Sequence, residues 1–259
     1  MFLFLVVLWV HGFSITYEVV GQTITISGSG VVTREGVCGA GAYASYTKAI
    51  VGEGITEIGG GAFRTCSKLK QVSLPSTLKI LRTGCFGSTN ITSLIIPASV
   101  EVIEDSILDC TPYCTTVVVE PESNHYYSEN NVVYTADKTI LIAAPSGITS
   151  LSILDTVITI QKNSLRWINI ETVTLPDSVE TVQEAVFYSS AVRTIHCGKN
   201  LMSFAISAID LCVSLIEITV DSQNKNFYST DDGVFGAMNS DGSPISIIFM
   251  KKRYRNVSY

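Results

Sequence analysis

The chain has 259 residues, 46% of them hydrophobic and only 15% charged, a balance that excludes intrinsic disorder and supplies a sizeable core. Its 23 acidic and 17 basic residues leave a net charge of -6, so no overall basic field draws in nucleic acid or anionic lipid. With only 3 histidines, His11, His125 and His196, acid–base catalysis is poorly supplied.

Residues 1–10 read MFLFLVVLWV, followed by His11-Gly12-Phe13-Ser14. A membrane-spanning helix needs about 20 apolar residues, so this run is too short to cross. It fits the apolar stretch of a signal peptide over residues 1–14 with cleavage around Ser14; the competing reading is a buried first strand. No later stretch approaches the ~18 apolar residues of a span, which predicts no transmembrane helix in the mature chain. Residues 15–54 read as an N-terminal β cap and first rung.

From residue 55 the chain repeats itself. ITEIGGGAFRTCSKLKQVSLPSTL (55–78) is followed by LKILRTGCFGSTNITSLIIPASV (78–100), and VITIQKNSLRWINIETVTLPDSV (157–179) by VETVQEAVFYSSAVRTIHCGKNL (179–201), in steps of 22 or 23 residues. Looser copies begin at Val100 and Leu201. A period of this size marks a solenoid, because no single unit buries its apolar face alone and neighbours must stack. Each unit carries an apolar–polar–apolar triplet, such as Val72-Ser73-Leu74 or Val173-Thr174-Leu175, which predicts a short strand with two inward side chains. The Ile-x-x-Ile positions and Phe63, Phe86 and Phe187 supply an apolar turn on the opposite wall, each ring worth about 1.5–3 kcal/mol when buried. The solenoid halves are predicted at 55–121 and 147–222.

A longer period lies over the first. Residues 122–134 return at 223–235, with Tyr127 matching Tyr228, predicting β-hairpin inserts at 122–146 and, together with a C-terminal tail, at 223–259. Asp232-Gly233 suits a tight turn, and Asn130-Asn131 serves less well. The basic cluster from Lys251 to Arg255 reads as a solvated tail.

Seven cysteines leave at least one without an intrachain partner. Cys66 and Cys212 share a repeat position filled elsewhere by Thr89, Ile168 and Ser190. Cys85 stands at an Ala position and Cys197 points inward from a strand, so all four are expected to be buried packing residues. Cys110 and Cys114 lie in the irregular third unit and are the pair expected to form a local disulfide in an oxidising compartment. Zinc would need four convergent Cys or His, which excludes it. Gly28-Ser29-Gly30 and Gly52-Glu53-Gly54 complete no phosphate loop, so no cofactor is expected. His125 and His196 have no nucleophile motif beside them, and no catalytic residue is assigned. Glu101, Glu104, Asp105 and Asp109 read as solvated loop charge, with calcium the alternative. Asn90-Ile91-Thr92 and Asn256-Val257-Ser258 are N-glycosylation sequons for a secreted chain.

The residues alternating with the buried ones face outward along one parallel sheet: Gln71 and Ser73, Ser93 and Ile95, Thr116 and Val118, Thr172 and Thr174, Thr194 and His196, Glu217 and Thr219. About eight rungs ~4.8 Å apart along the whole solenoid predict a ribbon of roughly 38 Å. It is nearly uncharged and long enough for a protein or glycan partner, although β propensity alone also explains its threonines.

The pattern I-x-x-I-x-x-x-A-F-x-x-C-x-x-L-x-x-V-x-L-P at Ile55 to Pro75, the segment Thr23 to Gly30 and the twice-used Y-S-x-x-x-V/G-V-Y/F insert resemble the BspA-like leucine-rich repeat surface proteins, over roughly residues 17–250. The resemblance implies a mostly β leucine-rich-repeat solenoid: a parallel strand ladder with an N-terminal β cap and two hairpin inserts. It also implies a non-enzymatic, secreted or cell-surface adhesion protein that binds extracellular macromolecules, host matrix or cell-surface proteins or glycans among them. The family occurs on oral bacteria and mucosal parasitic protists. An intracellular protein–protein interaction scaffold is the alternative, following from an uncleaved N-terminus and reduced thiols. The family's solenoid normally continues beyond the second insert, whereas this chain stops at Tyr259. Its exposed C-terminal strand edge therefore predicts self-association.

Overall fold

A computed structural model of the chain describes residues 4–10, 13–37, 45–236 and 247–250. Successive units stack into a solenoid whose two opposite walls are strand ladders. Ladder A contains Thr23–Gly28, Lys48–Val51 and Gln71–Ser73, then Ser93–Ile96 and Thr116–Val119, then Thr172–Thr174, Thr194–Cys197 and Glu217–Val220. Ladder B contains Gly30–Val32, Ile55–Ile58, Ile80–Leu81 and Val102–Ile103, then Ile140–Ala143, Thr159–Ile160, Thr181–Val182 and Ser203–Phe204. Pairing along both ladders is parallel, with Thr116 beside Ser93 and Ile103 beside Leu81. Among the described residues helix is confined to Arg34–Val37 and the 3₁₀ turn Ile206–Ile209.

The repeat pattern explains what fills the interior. Phe63, Phe86 and Phe187 are fully buried, and the first two stack with ring centroids 5.5 Å apart. The turn that carries each Phe uses two left-handed residues. Gly61, Gly84, Ser106, Asn163 and Ala185 occupy one such position, and Thr65, Ser88, Cys110, Trp167, Ser189 and Leu211 the other. A left-handed non-glycine residue costs roughly 1–2 kcal/mol, but here it turns the backbone N–H onto the next rung. Thr65 N–H donates to Gly87 O at 2.9 Å and Ser88 N–H to Asp109 O at 2.8 Å.

Phe4–Val10 forms a strand antiparallel to Phe13–Val20, which in turn pairs antiparallel with Thr23–Gly28. This is the strand reading of the N-terminal apolar run in the uncleaved chain. Thr23–Gly28 then enters ladder A by parallel pairing with Lys48–Val51.

The inserts are three-stranded rather than simple hairpins. Tyr126–Glu129 and Val132–Thr135 pair antiparallel around Asn130 and Asn131, whose φ values of 51° and 64° suit a type I′ turn. Ile140–Ala143 then pairs antiparallel with Val132–Thr135 and parallel with Thr159–Ile160, which splices the insert into ladder B. Phe227–Thr230, Gly233–Gly236 and Ile247–Met250 repeat the antiparallel three-stranded part of this arrangement, including the register shift, here between Val234 and Phe235. Thr230 pairs with Gly233, so the second turn is Asp231-Asp232, one residue earlier than the Asp232-Gly233 expected from sequence.

The cysteines depart from expectation. Cys110 and Cys114 are both free, so the expected local disulfide is not formed. Cys110 is held at a left-handed corner with φ 50°, while Cys114 turns into the core, its Sγ 3.5 Å from Thr116 O. Cys66, expected only to pack, is disulfide-bonded. Cys85 and Cys197 are buried packing residues, as read from the repeat.

Candidate functional site

Alternation along ladder A fixes which side chains face outward. Leu94, Ile96, Val117, Val119, Val173, Ile195 and Ile218 point into the core. Gln71, Ser73, Ser93, Ile95, Val118, Thr172, Thr174 and His196 are exposed, and Thr116, Thr194, Glu217 and Thr219 are half-buried. None of the twelve expected outward residues is in the core. Parallel register sets Thr116 beside Ser93 and Val118 beside Ile95. It also aligns Thr172 with Thr194 and Glu217, and Thr174 with His196 and Thr219. His196 Nδ1 lies 2.7 Å from Thr219 Oγ1.

The ribbon is not continuous. Between Thr116–Val119 and Thr172–Thr174 the chain at 147–153 forms no strand, although Leu151-Ser152-Ile153 carries the rung pattern. Instead Tyr134 Oη of the first insert donates to Ser152 O at 3.2 Å, and Gly147 N–H donates to Cys114 O of the preceding rung at 3.1 Å. Gln71–Ser73 and Ser93–Ile96 also lie in separate sheets. The patch before the first insert ends in the side-by-side apolar pair Ile95 and Val118, 60% and 42% exposed, and the patch after it is polar.

The acidic residues are engaged in ion pairs, with Glu101 exposed, Glu104 and Asp105 half-buried and Asp109 buried. Glu101 pairs with Lys79 at 2.6 Å and Glu104 with Arg82 at 2.7 Å, while Arg82 also holds Glu57 at 2.8 Å. Hydrogen bonds from Lys79 and Arg82 hold the Glu101 and Glu104 carboxyls below their usual range. Asp105 and Asp109 reach across the first insert to Lys162 at 2.9 Å and Arg166 at 3.1 Å, tying the two halves together. Asp109 is buried, and desolvation outweighs the pull of Arg166, pushing its carboxyl up to about 6. Among the described residues no three His, Cys, Asp or Glu side chains converge in a way that could hold a metal ion. Sequence reasoning missed these cross-insert pairs because the partners are far apart along the chain.

Asn90 is half-buried and Thr92 exposed, while Asn256 lies outside the described residues. No helix among the described residues is long and apolar enough to cross a membrane.

The family model described as BspA type leucine-rich repeat region matches six copies, over residues 41–143 and 143–240. No curated protein matches the chain. Among solved structures the chain is similar to a leucine-rich repeat protein from Eubacterium ventriosum, at 21% identity and a TM-score of 0.54 over 82% of this chain and 71% of that one. It is also similar to the pneumococcal vaccine antigen PcpA, at 15% identity and a TM-score of 0.55 over 88% and 84%. Likeness at these identities concerns the fold.

Proposed function

The chain belongs to the BspA-type leucine-rich repeat family, and on that premise we propose that it is a non-enzymatic, secreted or cell-surface recognition protein. It binds an extracellular macromolecule, a matrix or cell-surface protein or glycan of a host, through the outer face of ladder A. The observation that carries this reading is the pairing of Ile95 with Val118 on the solvent side of the ladder. Neither residue serves the core, and neighbouring rungs place Ser or Thr at most such positions. Exposed apolar side chains within a polar surround are the usual composition of a protein-contact surface.

The Cys66 disulfide supports an oxidising compartment. The N-terminal apolar run supports export, and Asn90 is the glycosylation site within the described residues. Self-association through the C-terminal end belongs to the same reading. Met202, Ile206, Leu211, Val213 and Ile216 are exposed on the last rung among the described residues, where the preceding rung carries Glu180, Glu184, Ser189, Ala191 and Arg193. Light scattering across a concentration series tests this, and a monomer at the highest concentration contradicts it.

Expression of the whole chain in a secreting eukaryotic cell tests the compartment. The expected product appears in the medium, starts near Ile15 and loses mass on glycosidase digestion. Cytosolic retention with Met1 intact and Cys66 reduced would instead support an intracellular scaffold.

A further inference from the structure

At the break in ladder A, the tip of the first insert, the residue preceding Thr116–Val119 and the loop 147–152 surround a cavity of about 360 Å³. That is the small end of the ~300–1,000 Å³ range of ligand pockets. Its polar lining is Thr115, Asn130, Asn131, Thr149, Ser150 and Ser152, with no charged residue. The backbone around these groups is fixed. Asn130 and Asn131 are locked in their left-handed turn, and Ser152 O accepts the Tyr134 hydroxyl. Gly147 packs so closely that a Cβ there would lie 2.5 Å from Cys114 O and 2.6 Å from Pro112 O. None of the six polar side chains has a hydrogen-bond partner among the described residues. Two amides and four hydroxyls thus line one concavity with no intramolecular partner for their donors and acceptors.

We propose that this notch binds a neutral sugar residue of a glycan. Amides and hydroxyls both donate and accept, as the adjacent hydroxyls of a pyranose do, whereas an anionic or cationic ligand would find no countercharge in the lining. The inference rests on the extracellular recognition reading only for where a glycan is met, because the notch is separate from the Ile95 and Val118 pair.

The test is saturation-transfer difference NMR on the full chain with the methyl glycosides of glucose, galactose, mannose and N-acetylglucosamine, and sialic acid as the charged comparison. At least one neutral glycoside is expected to bind with a dissociation constant of about millimolar size. The double variant Asn130→Gly, Asn131→Gly keeps the left-handed turn, since glycine adopts positive φ freely. It and the double variant Ser150→Ala, Ser152→Ala are each expected to weaken binding by about tenfold, while melting stays cooperative. Matrix binding by the parent chain is measured alongside, so failure of the ladder face and failure of the notch are read separately. Absence of transfer from every neutral glycoside, tighter binding of sialic acid, or unchanged binding in both notch variants overturns the proposal.

Discussion

Ser128 Oγ accepts the backbone N–H of Val119 at 2.8 Å, and in the second insert Ser229 Oγ accepts that of Val220 at 3.3 Å. In both places a serine on the first strand of the insert satisfies a backbone donor where a run of ladder A ends. The two inserts therefore act as caps on their runs. Ser128→Ala leaves a donor in a buried residue without its partner, at a cost of about 1–3 kcal/mol. Urea unfolding measures the loss, and faster amide exchange at Val119 locates it.

Neighbouring residues on one strand separate packing from recognition. Leu94 points into the core and Ile95 out of it. Leu94→Ala is expected to lower stability by about 2–5 kcal/mol, whereas Ile95→Ala stays within about 0.5 kcal/mol. Equal losses in chemical denaturation would mean that the face is assigned wrongly.

The ladders were legible in the sequence because each unit carries its own triplet, its Phe and its turn, and stacking adds nothing to the pattern except register. The break was not legible. Leu151-Ser152-Ile153 has the same alternation as a true rung, yet it forms no strand and its Ser152 O accepts the Tyr134 hydroxyl. Asp109 looked like loop charge because Arg166, its partner, lies beyond the first insert. The notch residues were individually unremarkable Thr, Asn and Ser that only the fold brings together.

Asp109 gives the joint between the halves a pH signature. Its carboxyl is raised to about 6 in the folded chain from an ordinary value of 3.8. The folded state therefore binds this proton more tightly than the unfolded state. The group's contribution to stability is fullest below pH ~4 and declines as pH rises through about 6, by roughly 2–3 kcal/mol. Asp109→Asn removes this dependence, so its stability relative to the parent should rise between pH 4 and pH 7. Thermal melts of both at the two pH values measure the difference. A constant gap would show that Asp109 titrates near its ordinary value.

Thiol labelling checks the cysteine assignment. Burial pushes the Cys114 thiol up to about 11 and that of Cys197 to about 12, and raises Cys85 as well. At pH 8 these three should resist alkylation in the native chain, while half-buried Cys110 reacts first. Cys66 should react only after reduction, which is expected to cost about 2–5 kcal/mol of stability. Mass spectrometry showing Cys110 and Cys114 protected together until reduction would restore the local disulfide.

The most direct test of the recognition surface is surface plasmon resonance of the secreted chain over immobilised extracellular-matrix preparations, beside the Ile95→Asp, Val118→Asp double variant. The account predicts saturable binding by the parent chain and at least a roughly tenfold loss in the variant, about 1.4 kcal/mol, with the melting temperature of the variant retained. No saturable binding by the parent, or equal binding by a folded variant, would contradict it.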